Sequence, residues 1–393
     1  MSTPQWVVPL SDVVGDAELV AAAAEAVRSG WWSAGPRVAE LEERFAETTG
    51  ARHAIALSNG TAALHVALLA VGAGPGKEVI TPSLTFVAAA NAARHTGAAP
   101  VFCDILGPHD LNLDPADVEA AITPRTKAIV VLHYGGFPCD IGSVLDVAAR
   151  QGVAVIEDAA HAIGATSGGR ACGTFGALGC FSFFSNKNLP IGEGGMVVTD
   201  DDNLAARVRL LRSHGMTTLT WDRHRGHAST YDVLLPGFNY RLDEIRASMA
   251  LVQLGRLAAA NARRARLADE YVRRLDGTAG LRVSFAERED RQTAAHHIAV
   301  VVLPPDIDRD DLRETLAEVG IQTSVHYPPI HRFAAYALLG NRPLPRTDAI
   351  TDRILTLPLY PGLSDELLEL VADRLVESVS SLAGSDTSSP RAR

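Results

Sequence analysis

A chain of 393 residues that is 47% hydrophobic and 21% charged has the composition of an ordinary globular protein, long enough for two or three domains and a large buried core. Its formal charge of −10 argues against a nucleic-acid or anionic-membrane surface, because neutralising phosphates on that scale takes a net basic face. No basic segment leads into an apolar run at Met1-Ser2-Thr3-Pro4-Gln5-Trp6, and no stretch is long and apolar enough to span a bilayer, so a cytoplasmic location is expected.

Between Arg52 and Asp200 one pattern recurs: a short β-branched or apolar run, a polar or glycine turn, then an alanine-rich helical stretch. The runs are His53–Leu57, Glu78–Pro82, Pro100–Ile105, Ala128–Leu132, Ala154–Ile156, Cys180–Phe184 and Met196–Thr199. Near-continuous apolar strands alternating with helices predict a sheet covered on both faces, hence a mainly parallel α/β domain. Ligands in such sheets bind beyond the carboxyl ends of the strands, where this chain places Ser58 with Asn59, Thr81, His133 with Tyr134, and Glu157 with Asp158.

From Leu242 to Leu275 apolar residues at helical spacing predict a long helix or helix pair. A strand (His297–Leu303), a helix (Arg309–Val319), a strand (Gln322–Tyr327) and a closing helix (Asp365–Leu382) follow, an order that reads as a smaller α+β domain. The expected division is a large α/β domain over 1–250, a small α+β domain over 251–383 and a disordered tail over 384–393. The four cysteines, Cys103, Cys139, Cys172 and Cys180, form no C-x-x-C pair, so neither a disulfide framework nor a metal site is expected.

Four local patterns carry chemistry. Phe181-Ser182-Phe183-Phe184-Ser185-Asn186-Lys187-Asn188-Leu189, ahead of Gly192-Glu193-Gly194-Gly195, reads as a strand delivering an amine into a partly dry pocket, the bland alternative being a strand-end lysine that snorkels into water. Desolvation favours the neutral amine, the form that condenses with an aldehyde to a Schiff base. Ser58-Asn59-Gly60-Thr61-Ala62-Ala63-Leu64 ends a strand and opens a helix whose free N–H groups suit a phosphate, although the same residues also make an ordinary N-cap. In Val153-Ala154-Val155-Ile156-Glu157-Asp158, Asp158 or Glu157 stands at the ligand edge, where a carboxylate can keep a pyridinium nitrogen protonated; Asp158 can equally cap the next turn. Phe86, after the strand end at Thr81-Pro82, can stack on a flat cofactor or pack in the core. An aldehyde, a ring nitrogen, a phosphate and a flat face are the features of pyridoxal 5′-phosphate.

The same motifs resemble the sugar aminotransferase family called DegT/DnrJ/EryC1/StrS. The resemblance runs from Gly30-Trp31-Trp32-Ser33-Ala34-Gly35-Pro36 to the final helix and includes Gly237-Phe238-Asn239-Tyr240-Arg241-Leu242-Asp243-Glu244-Ile245. It implies the aspartate-aminotransferase-like fold type I: a mainly parallel seven-stranded sheet sandwiched by helices, with a smaller C-terminal α+β domain. It further implies that Lys187 forms the Schiff base, that Asp158 pairs with the pyridine nitrogen, and that His161 lies beside the ring hydroxyl. By the same resemblance Phe86 stacks on the ring, while Gly60, Thr61 and Ser182 hold the phosphate. Asn239 matches an asparagine that reaches the phosphate from the neighbouring subunit, which implies a homodimer with shared active sites. Tyr240, Arg241, His326 and Tyr327 are candidates for substrate contact, and each reads equally well as loop or turn structure.

The implied reaction is ping-pong transfer of an amino group from glutamate or glutamine to a nucleotide-linked 3-keto or 4-keto deoxyhexose carried on dTDP or UDP. Lys187 disfavours the dehydratase branch of the family, which replaces the lysine. An aminocyclitol aminotransferase acting on an inosose-type ketone shares nearly every motif, and a non-catalytic regulator that only binds the cofactor is a more distant reading. Donors in Trp221-Asp222-Arg223-His224-Arg225-Gly226-His227 would suit a diphosphate, or would simply form a solvated loop. The alanine- and arginine-rich composition points to a high-GC bacterial source, where antibiotic sugars or surface polysaccharides would take up the product.

Overall fold

A computed structural model describes residues 6–218, 230–339 and 342–385. The Trp221–His227 segment and residues 386–393 of the expected tail lie outside the described residues. Two helices that the strand pattern does not announce come first. Helix α1 (Ala17–Arg28) is capped by the Asp16 carboxylate on the Leu19 N–H, and α2 (Pro36–Thr49) has proline in its first turn and ends on Gly50 at φ +74°.

Seven strands form the main sheet: β1 (His53–Leu57), β2 (Glu78–Pro82), β3 (Ala99–Cys103), β4 (Thr126–Leu132), β5 (Ala154–Asp158), β6 (Leu178–Ser182) and β7 (Gly195–Thr199). Their spatial order is β1-β7-β6-β5-β4-β2-β3, with β7 antiparallel to both of its neighbours and the remaining pairs parallel. The helices between them are α3 (Gly60–Ala70), α4 (Ala88–Thr96), α5 (Pro115–Ala121), α6 (Ile141–Gln151) and, after β7, α7 (Asp202–Arg212). One face of the sheet packs on α3, α4 and α7 and the other is covered by separate apolar clusters, which explains the near-continuous hydrophobicity of the strands. The register sets Asp158 opposite Leu132 of β4 and Cys180 of β6, so β4 and β5 end at the same level while β6 runs two residues further, to Ser182.

Helix α8 (Glu244–Leu275) has 32 residues and is about 48 Å long. It continues across residue 250 without a break. Leu251, Leu254 and Leu257 pack in the core of the large unit, while Leu267, Tyr271 and Leu275 pack in a second core. That second core surrounds a three-stranded antiparallel sheet of β8 (Arg282–Val283), β9 (Ala299–Val302) and β10 (Ile354–Leu357). Helices α9 (Arg309–Glu318) and α11 (Asp365–Ser385) pack on it, and the short α10 (Pro345–Ile350) precedes β10. Val8, from the far end of the chain, is buried in the same core and bridges Ile321.

The expected strand over Gln322–Tyr327 is not formed. Only isolated bridges, Val8 to Ile321 and Ser324 to Thr356, touch this region, because it leaves the sheet to carry His326 and Tyr327 toward the large unit ahead of Pro328-Pro329. Strand β10 supplies the sheet pairing in its place. Among the described residues no helix is long and apolar enough to cross a membrane.

Candidate active site

A cavity of about 640 Å³ opens beyond the carboxyl ends of the parallel strands β4, β5 and β6, the edge at which ligands of such sheets bind. Lys187, Asp158, His161, Ser182, Gly60, Thr61, Phe86, Tyr240, His326 and Tyr327 all stand in its wall.

Lys187 follows β6 in a turn that closes with its N–H on the Phe184 carbonyl. Its Nζ lies 3.3 Å from His297 Nε2. Burial lowers its pKa to about 8, with the nearby Asp158 carboxylate pulling the other way. A substantial neutral fraction therefore exists near neutrality, as nucleophilic attack by an amine requires. Asp158 closes β5, and its Oδ1 accepts the Ala160 N–H at 3.1 Å. Burial raises its pKa, opposed by that N–H and by Lys187 and His133. Glu157, one residue earlier, is committed elsewhere. It accepts from His133 Nε2 at 2.9 Å and from the Gly173 and Gly176 N–H groups at 2.7 Å each, all away from the cavity.

The phosphate end is built by backbone. Asn59 caps α3, its Oδ1 taking the Ala62 N–H at 2.8 Å, while the N–H groups of Gly60 and Thr61 belong to the first turn and have no intrahelical acceptor. A Cβ on Gly60 would lie 2.8 Å from Ser182 Cβ, so glycine is what lets the helix start and the serine meet. Gly195, paired with Ser182 across β6 and β7, has the same role from behind: a Cβ there would sit 2.4 Å from the Asn59 carbonyl oxygen. A bare helix start beside a serine hydroxyl is a ready anion cradle, which fits a terminal phosphate.

His161 receives the Gly135 N–H on Nδ1 at 3.3 Å, so its proton is on Nε2, which donates to the Tyr327 hydroxyl at 2.8 Å. Burial, then Lys187 and His326, hold its pKa well below the ordinary histidine value. Phe86 is 56% exposed on the cavity side, with its ring 5.9 Å from that of Tyr327, so it is no core residue.

A family model described as the DegT/DnrJ/EryC1/StrS aminotransferase family matches residues 14–376. The chain belongs to this family. The spore coat polysaccharide biosynthesis protein SpsC of Bacillus subtilis (strain 168) is 41% identical over 361 residues, which is 89% of this chain and 92% of SpsC. Among solved structures, DesI in the presence of its TDP-sugar product is 34% identical with a TM-score of 0.87, covering 98% of this chain and 96% of DesI. The sugar aminotransferase Spr1654 from Streptococcus pneumoniae, described as putative and solved in a PMP form, is 27% identical with a TM-score of 0.89, covering 95% of this chain and 100% of Spr1654. The aminotransferase depends on pyridoxal phosphate and has the α/β fold of these relatives, a mostly parallel sheet with a small C-terminal unit.

Two residues singled out in the sequence lie apart from the cavity wall of the aminotransferase. Asn239 is exposed and bridges Ser213, and Arg241 bridges Leu57. Tyr240, between them, does reach the wall. His326 is fixed by Nδ1 against Thr356 Oγ1 at 3.0 Å, and burial lowers its pKa to about 4.

Two histidines of the aminotransferase went unnoticed in the sequence. His297 touches the lysine from the second unit, and the pair His296-His297 ahead of β9 was the only local sign of it. His65, one helical turn after Thr61, lines the cavity with Nδ1 3.2 Å from the Tyr240 hydroxyl, while its buried Nε2 has no partner among the described residues.

Proposed function

We propose that this aminotransferase transfers the amino group of glutamate or glutamine to the keto carbon of a nucleotide-linked 3-keto or 4-keto deoxyhexose. The observation that carries the reading is the convergence, in one cavity, of an amine that burial brings to a pKa of about 8, the strand-end carboxylate of Asp158 and the open helix start at Gly60-Thr61. DesI, solved with a TDP-sugar product, and SpsC, from polysaccharide biosynthesis, support the choice of substrate class.

When bound, pyridoxal phosphate supplies an aldehyde that takes up the amino group and a ring that withdraws electrons from the carbon losing its proton. Gly60, Thr61 and Ser182 would anchor its phosphate, Asp158 would keep a proton on its ring nitrogen, Phe86 would cover one face and His161 would serve the hydroxyl side. Lys187 is the residue that would hold the aldehyde, and its amine, when free, would move a proton to and from the donor's α carbon. Donor and keto sugar use the same cavity in turn, so the kinetics are ping-pong.

The family resemblance supports a homodimer in which Asn239, exposed and outside the cavity wall of its own chain, serves the cavity of a second copy. The reaction is tested by assaying amine products from a panel of dTDP- and UDP-linked 3-keto and 4-keto sugars and scyllo-inosose, with each donor. Amination of a nucleotide-linked sugar is expected. Turnover of scyllo-inosose alone would transfer the reading to aminocyclitols.

A further inference from the structure

The chain places a one-way hydrogen-bond relay behind Lys187. Asn261 Nδ2 donates to the Ile163 carbonyl at 2.8 Å, which leaves Asn261 Oδ1 as an acceptor. Asn188 Nδ2 donates to that oxygen and to the Ala295 carbonyl, each at 2.8 Å, which fixes the Asn188 amide with Oδ1 pointing the other way. Asn188 Oδ1 lies 3.0 Å from His297 Nδ1. An amide oxygen only accepts, so Nδ1 carries the proton of the neutral ring and Nε2 carries the lone pair. Nε2 is the atom that meets Lys187 Nζ. Every donor in the relay points away from the lysine, and the relay ends on backbone carbonyls that cannot reverse it.

We propose that His297, locked in this tautomer by Asn188, is a positioning residue that takes one N–H of the free Lys187 amine and thereby aims the amine's own lone pair into the cavity. Two lone pairs repel, so a neutral amine beside Nε2 must turn a hydrogen toward the ring. The remaining surroundings keep the ring neutral. His297 is 3% exposed, the His161 ring is 4.4 Å away, Arg264 Nη1 is 3.4 Å from the His297 carbonyl, and His326 and Lys187 are close enough to disfavour a second positive charge. Among the described residues Asp158 is the carboxylate whose charge acts on the lysine, and it lines the cavity. The significance for catalysis rests on the aminotransferase reading; the geometry of the relay does not.

The test uses the full-length chain freed of cofactor. Labelling of Lys187 by trace acetic anhydride across pH, read by peptide mass spectrometry, gives the protonation midpoint of its amine. An accepting nitrogen also stabilises the ammonium, so His297→Phe is expected to lower the midpoint by about one unit, a tenfold change in proton affinity. His297→Gln, whose amide oxygen can accept, is expected to stay near wild type. In the cofactor-loaded variants the half-reaction with glutamate should slow about 10- to 100-fold in His297→Phe at unchanged cofactor affinity, with most of that loss recovered in His297→Gln. An unchanged midpoint in His297→Phe, or an equal shift in the glutamine variant, would overturn the proposal. A shifted midpoint in a protein that transaminates nothing would leave the relay standing and count against the proposed function instead.

Discussion

Glu157 and Asp158 are adjacent at the end of one strand and answer to different parts of the molecule: Glu157 is saturated by His133 and two glycine N–H groups in the core, while Asp158 takes one N–H and lines the cavity. Substituting them should separate stability from chemistry. Glu157→Ala strands three buried donors and should cost about 3–5 kcal/mol, read as a lower urea midpoint. Asp158→Asn should leave the midpoint near wild type, since burial already disfavours its charge, and should slow the glutamate half-reaction about 10²–10³-fold. Equal losses of stability in the two variants would refute this separation.

Lys187→Ala should reduce that half-reaction by about 10²–10⁴-fold from lost proton transfer alone. Single-turnover absorbance change with glutamate is the measurement. A variant with wild-type rate would remove the lysine from the mechanism.

Gly195→Ala probes the phosphate cradle from behind. Its methyl group would press on the Asn59 carbonyl and the Gly60 nitrogen, both backbone atoms, at 2.4 and 2.9 Å. Overpacking of this kind costs about 1–3 kcal/mol. If the helix start yields, cofactor affinity falls roughly 5- to 150-fold, measurable by fluorescence titration of the stripped protein. Unaltered affinity would show that the turn shifts without cost.

The buried histidines make the stripped protein acid-sensitive. His161 and His297 have pKa values well below the ordinary one, and His296 and His326 are held at about 4, burial being the first cause in each. Between the unfolded value of about 6.5 and these depressed values the unfolded chain binds more protons, so stability falls as pH falls through that window. Asp158, raised by burial, acts in the opposite sense as a single group. The urea midpoint should therefore be lower at pH 5 than at pH 7, and an equal or higher midpoint at pH 5 would contradict the neutral assignments.

If Asn239 serves a neighbouring copy, then inactive Lys187→Ala and impaired Asn239→Ala chains should complement when mixed. A mixed dimer would hold one doubly damaged site and one intact site. Activity that stays at the level of the separate variants after subunit exchange would place Asn239 outside the shared site.

The seven strands of the main sheet were legible because each is buried on both faces and so is apolar along its length. Lys187, Asp158 and the Gly60-Thr61 turn were legible as one place because each ends or follows a strand on the same edge of the sheet, and all three line the cavity. Gln322–Tyr327 was misread because Thr323, Val325 and Tyr327 put strand-favouring residues at alternate positions ahead of Pro328-Pro329, while the backbone pairs only at single bridges. Strand β10 escaped notice because it is only four residues long and follows a short helix with just Thr351, Asp352 and Arg353 between. His297 could not be found by any local rule, since its partner Asn188 is 109 residues away and only the fold brings the two together.

The continuous helix α8 bears on how a bulky sugar reaches the lysine. Its leucines are rooted in the cores of both units, and the second unit brings His326 and Tyr327 to the wall of the cavity and His297 to Lys187. Swinging that unit outward would require bending the helix between Leu257 and Leu267 and would pull His297 from the amine it meets. The second unit thus supplies a back wall that the helix ties to the first, and the exposed Phe86 and Phe184 mark the open side of the cavity.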